Sequence, residues 1–251
     1  MKTTLETTRL KVSAPAQYVV RLARRADEVR AVQVLRYQVF NLELNEGLSS
    51  SHATGLDKDC FDPVCDHLLV EHLPTREVVG TYRLQTGRNA AANLGYYCAQ
   101  EFEFKAFEPL RGEIIELGRA CVHSHHRNMI VLGMLWKGIA DYANSHGGRY
   151  LVGCSSLTSQ DPPIGASAYA YLSRHHLVSP AYLTRPLPAY DCSLAHLATE
   201  EVQIPKLLRA YLTLGAKICG PPALDPHFKT IDFLTWLDLS TIPQSVRQKF
   251  M

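Results

Sequence analysis

No two cysteines in this chain stand at the C-x-x-C spacing, although seven are present at positions 60, 65, 98, 121, 154, 192 and 219. The missing pair and the odd count argue against a disulfide framework and a zinc ribbon, and suit a reducing compartment. Long apolar runs are also lacking. The longest nearly apolar stretch, Met129 to Ala140, carries Lys137 and is too short to span a bilayer. Met1 to Leu10 holds Lys2, Glu6 and Arg9 with no apolar centre, so no secretory signal is expected. These absences point to a cytoplasmic protein, with at most a peripheral contact to the inner membrane. Nor is there a charge excess: 26 basic against 24 acidic residues leave a net +2, which gives no reason to expect a nucleic-acid partner. Basic residues do gather locally, at Arg21, Arg24, Arg25 and Arg30, as a solvated helix face or a surface for an acidic partner. No internal repeat or low-complexity segment is visible.

What is present suits one large domain over residues 1–251, because 46% apolar residues can bury a substantial core. Residues 1–15 are polar and read as a loosely ordered N-terminus, and 180–251 as an extension completing the fold. Tyr18 to Ala23 alternates as a strand, and Ala26 to Asn41 has helical spacing with Asp27 expected as its N-cap. Gly47 to Asp66 is a long Ser-, Asp- and Gly-rich loop. His67 to His72 and Val78 to Leu84 read as a hairpin around Pro74. Phe102, Phe104 and Phe107 mark a helix or a loop pinned by its aromatics. Ile114 to Val122 is a strand, Arg127 to His146 a helix stopped by Gly147-Gly148, and Tyr150 to Ser155 a buried strand. That β–α–β order implies a parallel pair. Further on come a helix within Asp161 to Leu187, a last helix opened by Pro205, and strands at 216–220 and 231–237.

The sharpest feature is Glu116-Leu117-Gly118-Arg119, which places a carboxylate and a guanidinium in an otherwise apolar strand. Breaking a buried charge pair costs about 3–5 kcal/mol, so both charges need partners, a cleft or a reaction.

Together with Leu35-Arg36-x-x-Val39-Phe40, Asp59-x-x-Asp62, Cys65-Asp66-His67 and Thr81-Tyr82-Arg83-Leu84, this stretch resembles the GNAT acyltransferase superfamily. The branch it resembles holds acyl-carrier-protein-dependent N-acyltransferases: ornithine N-acyltransferases, long-chain N-acyl amino acid synthases and acyl-homoserine-lactone synthases. Leu135-Trp136-Lys137-Gly138-Ile139-Ala140, Gly153-Cys154-Ser155-Ser156-Leu157, the Pro205 to Ala216 block and Asp225-Pro226-x-Phe228-x-Thr230-x-Asp232 are most similar to the ornithine group. The resemblance runs from about Arg36 to Leu237. It implies an α+β GNAT fold, a three-layer α/β/α sandwich around a mixed, largely antiparallel sheet with splayed central strands. It further implies a β-bulge at Leu117-Gly118, which would bring Glu116 and Arg119 to one face.

The implied reaction moves a long-chain, 3-hydroxylated acyl group from acyl-carrier protein to the α-amine of ornithine, by direct attack, as a step of lipid biosynthesis giving lyso-ornithine lipid. Amide formation needs a proton acceptor for the amine and stabilisation of the oxyanion. Glu116 is the candidate base and Arg119 its catalytic companion. Arg36, Phe40, Asp59, Asp62 and Arg83 are expected around the acceptor, whose ammonium and carboxylate suit a site of both signs. Asp225 and Asp232 either bind the acceptor's side-chain amine or shape a turn. Bulky Ile130 and Leu132 replace the small residues that let a pyrophosphate approach the helix backbone in acetyl-CoA-binding members. Acyl-carrier protein is thus the expected donor, with Arg127 taking the single phosphate of its pantetheine and Ser155 or Ser156 bonding the arm. No cofactor beyond that phosphopantetheine and no metal is expected; His123-x-His125-His126 lacks supporting ligands. Cys154 reads as a small buried residue with no base beside it. Alternative readings are an N-acyl amino acid synthase using tyrosine or glycine, a homoserine-lactone synthase, and a non-catalytic module that binds carrier protein or lipid.

Overall fold

The computed structural model describes residues 17–242, so the expected loose N-terminus at 1–15 lies outside the described residues. Strand β1 (Tyr18–Leu22) leads into helix α1 (Ala26–Tyr37), which continues as a π-helical turn over Gln38–Glu43. Asp27 is not its cap. Arg25 holds that position, and Glu28 reaches back to accept from the backbone N–H groups of Arg24 and Arg25 at 2.7 and 3.1 Å. The hairpin forms as expected from β2 (Asp66–His72) and β3 (Glu77–Thr86), followed by the short helix α2 (Gly87–Ala92). The phenylalanines then sit in turns and 3-10 segments ahead of β4 (Ile114–Val122).

Helix α3 (Met129–Ser145) starts where the Asn128 side chain accepts from the N–H groups of Ile130 and Val131, both at 3.0 Å. Its apolar stripe packs on the sheet through Val131, Leu135 and Ile139. Next come β5 (Tyr150–Leu157), α4 (Pro162–His175), α5 (Lys206–Thr213), β6 (Lys217–Ile218), β7 (Ala223–Asp225) and β8 (Thr230–Asp238). Pro205 precedes α5 as its cap instead of opening its first turn.

The strands form one sheet in the order β1-β2-β3-β4-β5-β8-β6, with β7 also on β8. Among the described strands only β4 and β5 run parallel. One face carries α3 and α5 over Leu84, Ile115, Leu151 and Leu237; the other carries Phe104, Phe107, Tyr150 and Trp236 with the Tyr96–Phe102 segment. The mixed, mainly antiparallel sheet expected from the sequence is therefore present, with helices to either side.

Two irregularities create the site. First, β4 and β5 pair only from Ile114↔Tyr150 to Glu116↔Val152 and then part. Gly153 sits at the parting point, where a Cβ would lie 2.3 Å from the carbonyl oxygen of Leu117. Second, β4 carries a bulge against β3, but two residues later than expected. Gly118 still pairs with Arg83 and Cys121 with Thr81, so Arg119 and Ala120 together oppose Tyr82. Arg119 itself takes the left-handed conformation at φ 50°, a strained choice for a side-chain-bearing residue.

Candidate active site

Regular alternation would send Arg119 to the face of Leu117, over the apolar side of α3. The extra residue turns it back to the face of Glu116, where three guanidiniums and three carboxylates close a ring. Arg36 contacts Asp57 and Asp62, each at 2.7 Å. Arg83 bridges Asp62 at 3.0 Å and Asp59 at 2.6 Å. Arg119 completes the circuit, 3.0 Å from Asp59 and 3.5 Å from Asp57. Charges alternate around the ring and sum to zero, which is how six ionised groups tolerate burial. Burial alone would raise the carboxyl of Asp62, but Arg36 and Arg83 outweigh it and bring it down to about 2.

Of the six charged residues expected to converge, Arg36, Asp59, Asp62, Arg83 and Arg119 do so, Glu116 does not, and Asp57 is an unforeseen member of the ring. These groups bind one another, and of the six only Arg119 lines the adjoining cavity. Its guanidinium lies between the rings of Tyr97 and Phe228, 4.8 and 4.3 Å from their centroids.

Glu116 stands apart from this ring. Its oxygens accept from Gln85 Nε2 at 2.5 Å and from the backbone N–H groups of Tyr97 and Cys98 at 3.0 and 2.8 Å. It does not line the cavity. The side chain expected as base is thus placed as the anchor of the Tyr97 segment, and Tyr97 in turn covers Arg83 and Arg119.

The cavity, about 750 Å³, passes through the gap between β4 and β5. On the α3 side its wall is apolar, formed by Leu117, Leu132, Leu135, Trp136, Leu151 and Tyr211 among others. Tyr211 of α5 and Tyr82 of β3 join hydroxyls there. On the opposite side lie Phe40, Glu46, Arg119, Cys154, Ser156 and Asp232. Phe40 meets Phe228 edge to face at 5.2 Å. Ser155 and Ser156 point to opposite faces of β5: Ser155 accepts from Thr235 on the apolar side, at 2.9 Å, while Ser156 bonds Asp232. Asp225 shapes a turn, accepting from the N–H groups of His227 and Phe228 at 2.7 and 3.1 Å, and so holds Phe228 against Arg119. Arg127 lies at the cavity's edge, with its guanidinium already on both oxygens of Glu43 at 2.5 and 2.7 Å.

Two carboxylates at this end had no signal in the sequence. Glu46 is buried against the cavity, where desolvation pushes its carboxyl up to about 7. Glu101 is buried beside Asp232 and Cys154. The Cys154 thiol does have a carboxylate near it, Glu101 Oε2 at 3.7 Å, contrary to expectation. It remains a poor nucleophile, because its bond to Cys98 and its burial hold the thiol proton firmly. Glu101, Cys154 and Asp232 are also the one group with metal-compatible spacing among the described residues. Of the basic N-terminal cluster, Arg21 and Arg25 are paired internally, with Glu71, Glu28 and Asp27.

The architecture matches known proteins at three levels. A family model described as an acetyltransferase (GNAT) domain matches residues 35–137, the span that holds every ring residue and the bulge. An L-ornithine N(alpha)-acyltransferase of Rhodobacter capsulatus is 34% identical over 249 residues, covering 94% of this chain and 95% of the relative. One of the same name from Agrobacterium fabrum is 33% identical over 238 residues, covering 88% and 81%. Among solved structures, an N-acyl amino acid synthase from uncultured soil microbes shares the fold with a TM-score of 0.52 at 12% identity, covering 93% and 95% of the two chains. With identity sustained across nearly its whole length, the chain belongs to the L-ornithine N(alpha)-acyltransferase family, built on the GNAT fold.

Proposed function

We propose that this protein transfers a long-chain, 3-hydroxylated acyl group from acyl-carrier protein to the α-amino group of ornithine, producing lyso-ornithine lipid. The observation that carries the reading is the two-ended cavity, joined with the family to which the chain belongs. A lipid thioester and a charged amino acid need opposite surroundings, and the gap between β4 and β5 connects an apolar chamber to a polar one. Burying each methylene of the acyl chain in the apolar end contributes about 0.8 kcal/mol.

In the polar end, Arg119 is the cation available to the acceptor's carboxylate, and its stacking between Tyr97 and Phe228 fixes its direction. Glu46 lines the same end, and a carboxyl raised to about 7 suits removal of a proton from an ammonium near neutral pH. We assign Glu46 as the proton acceptor and Glu116 as the residue that positions Tyr97. The freed amine attacks the thioester carbonyl directly, the C–N bond forms as the C–S bond breaks, and the proton left on the nitrogen passes to the departing sulfur, so that pantetheine leaves as its thiol. Backbone N–H groups of β4 beyond Glu116 have lost their β5 partner, so this edge can receive the oxyanion.

Support for a carrier-protein donor comes from the start of α3. Asn128 occupies the N–H groups of Ile130 and Val131, and exposed Met129 and Ile130 crowd the approach. A pyrophosphate finds no open helix N-terminus there, whereas a pantetheine arm needs room for one phosphate. The test is to mix purified protein with acyl-carrier protein, acyl-CoA and a panel of amino acids, and to read products by mass spectrometry. N-acylornithine from the carrier-protein donor is expected. A product with tyrosine, glycine or a homoserine lactone in place of ornithine would overturn the acceptor. Equal use of acyl-CoA would overturn the donor.

A further inference from the structure

The polar end of the cavity holds more buried carboxyl groups than acyl transfer to a simple amine requires. Glu101 is 1% exposed and Asp232 4%, and one oxygen of each, Oε1 and Oδ1, has no hydrogen-bond partner. Ligand atoms of Glu101, Asp232 and Cys154 all lie within 4.8 Å of one another, and Asp232 and Cys154 line the cavity. The surroundings supply little positive charge. Asp225 and Glu46 add to the negative potential, Ser156 and Thr230 hydrogen-bond Asp232, Thr230 to Oδ2 at 3.2 Å, and Arg119 acts on Glu101 more weakly than burial and the neighbouring carboxyls do. Burial raises both carboxyls, Asp232 to about 6, and the two hydrogen-bond each other, so the pair holds a proton that an entering ammonium can replace.

We propose that Glu101 and Asp232 form the seat of a second ammonium of the acceptor, the one at the end of its side chain, and so select a diamino acid over a monoamino acid of the same length. The proposal deepens the acyl-transfer reading above and rests on it. Geometry favours this orientation over its reverse. An amino acid's carboxylate is repelled by Glu101 and Asp232 and attracted by Arg119, while a terminal ammonium prefers the carboxyl pair. With both ends held, the α-amine lies between them on the side of Glu46. The selectivity is of the strong kind, since a monoamino analogue leaves the buried carboxyl pair without its cation, whereas a missing methylene costs only packing.

The experiment compares ornithine with 2-aminopentanoic acid, which has the same carbon chain without the terminal amine. Specificity constants are measured for the wild type, for Glu101→Gln and for Glu101→Gln with Asp232→Asn, and thermal melts confirm that each variant is folded. The wild type should prefer ornithine by about 100-fold or more. In the variants that ratio should collapse toward unity. A ratio unchanged in the folded variants, with both acceptors losing equally, overturns the seat. Stoichiometric zinc in the purified protein, lost in the double variant, also overturns it, by making the cluster a metal centre. If the wild type acylates neither acceptor, the acyl-transfer reading fails by itself. Calorimetry with 1,4-diaminobutane then decides the seat: binding lost in the double variant supports it, and binding absent from or equal in both proteins overturns it.

Discussion

Replacing Arg36 by Met takes one cation from the ring while keeping an unbranched stem. Arg36 is wholly buried, donates to Asp62 at 3.1 and 2.7 Å and to the Asp57 carbonyl at 2.5 Å, and meets the Asp57 carboxylate at 2.7 Å. Without it, Asp57 keeps only Arg119 at 3.5 Å, and Asp62 keeps Arg83 at 3.0 Å and Gln33 at 2.9 Å. The ring then carries a net negative charge in the interior. An uncompensated buried charge costs about 3–5 kcal/mol. For a chain of this size each kcal/mol moves the melting temperature by about 2–4 °C, so a fall of about 10 °C is expected by calorimetry. Adding Asp62→Asn restores neutrality, and the double variant should recover part of the loss as a coupling of about 1–3 kcal/mol. Acid provides a second readout. The Asp62 carboxyl is held at about 2 against an ordinary 3.8, so the stability it contributes is full above about pH 4 and is lost as pH falls toward 2. This contribution, about 2 kcal/mol, should shrink in Arg36→Met. A melting shift below about 3 °C, with an unchanged acid transition, would refute the closed ring as a source of stability.

Three further outcomes follow from the site. Glu116→Gln should remain folded and lower kcat about 10-fold or more, since it disturbs charged hydrogen bonds to the Tyr97 segment; loss of the acidic limb of the pH–rate profile would instead show Glu116 to be the base. Gly153→Ala forces a methyl against the Leu117 carbonyl, so it should destabilise by about 1–3 kcal/mol and raise KM for acyl-carrier protein, checked by melting and steady-state kinetics. Glu46→Gln should abolish turnover and yet stabilise. Burial raises the Glu46 carboxyl from 4.5 to about 7, so the folded state is penalised increasingly between those values and fully above them; relief of about 3 kcal/mol is expected at pH 8 and none at pH 4 in thermal melts.

The hairpin, β4, α3 and β5 were legible because each carries its own signal. Alternation marks the strands, and a continuous apolar stripe closed by Gly147-Gly148 marks the helix. The N-terminal cap of α1 misled, since Asp27 offers the usual side chain while Glu28 makes the bonds from one residue further on. Arg36, Asp59, Asp62, Arg83 and Arg119 were recoverable through motif resemblance; Asp57 was not, because nothing local separates it from a solvated loop aspartate. Glu46 and Glu101 were hidden for the same reason. Each lies in or beside an irregular turn, and only the folded chain shows these turns packed inward, with Gly47 bonded to the Phe228 carbonyl and Cys98 and Phe102 in the apolar cluster of Trp236. Glu116 was correctly marked as a charge requiring partners, and its partners are backbone amides that leave no trace in a motif.

The added residue in β4 has a consequence for which changes this segment tolerates. It acts as a parity switch: the chain before it and the chain after it count side chains on different beats, and Arg119 is where the beat changes. Deleting Ala120 would leave every neighbouring side chain chemically intact and still swing a guanidinium into the chamber meant for hydrocarbon. Point substitutions around it test chemistry, whereas a one-residue deletion tests the frame itself. A one-residue deletion at exposed Ser124 or His125 changes no frame, because no strand pairing runs through that turn.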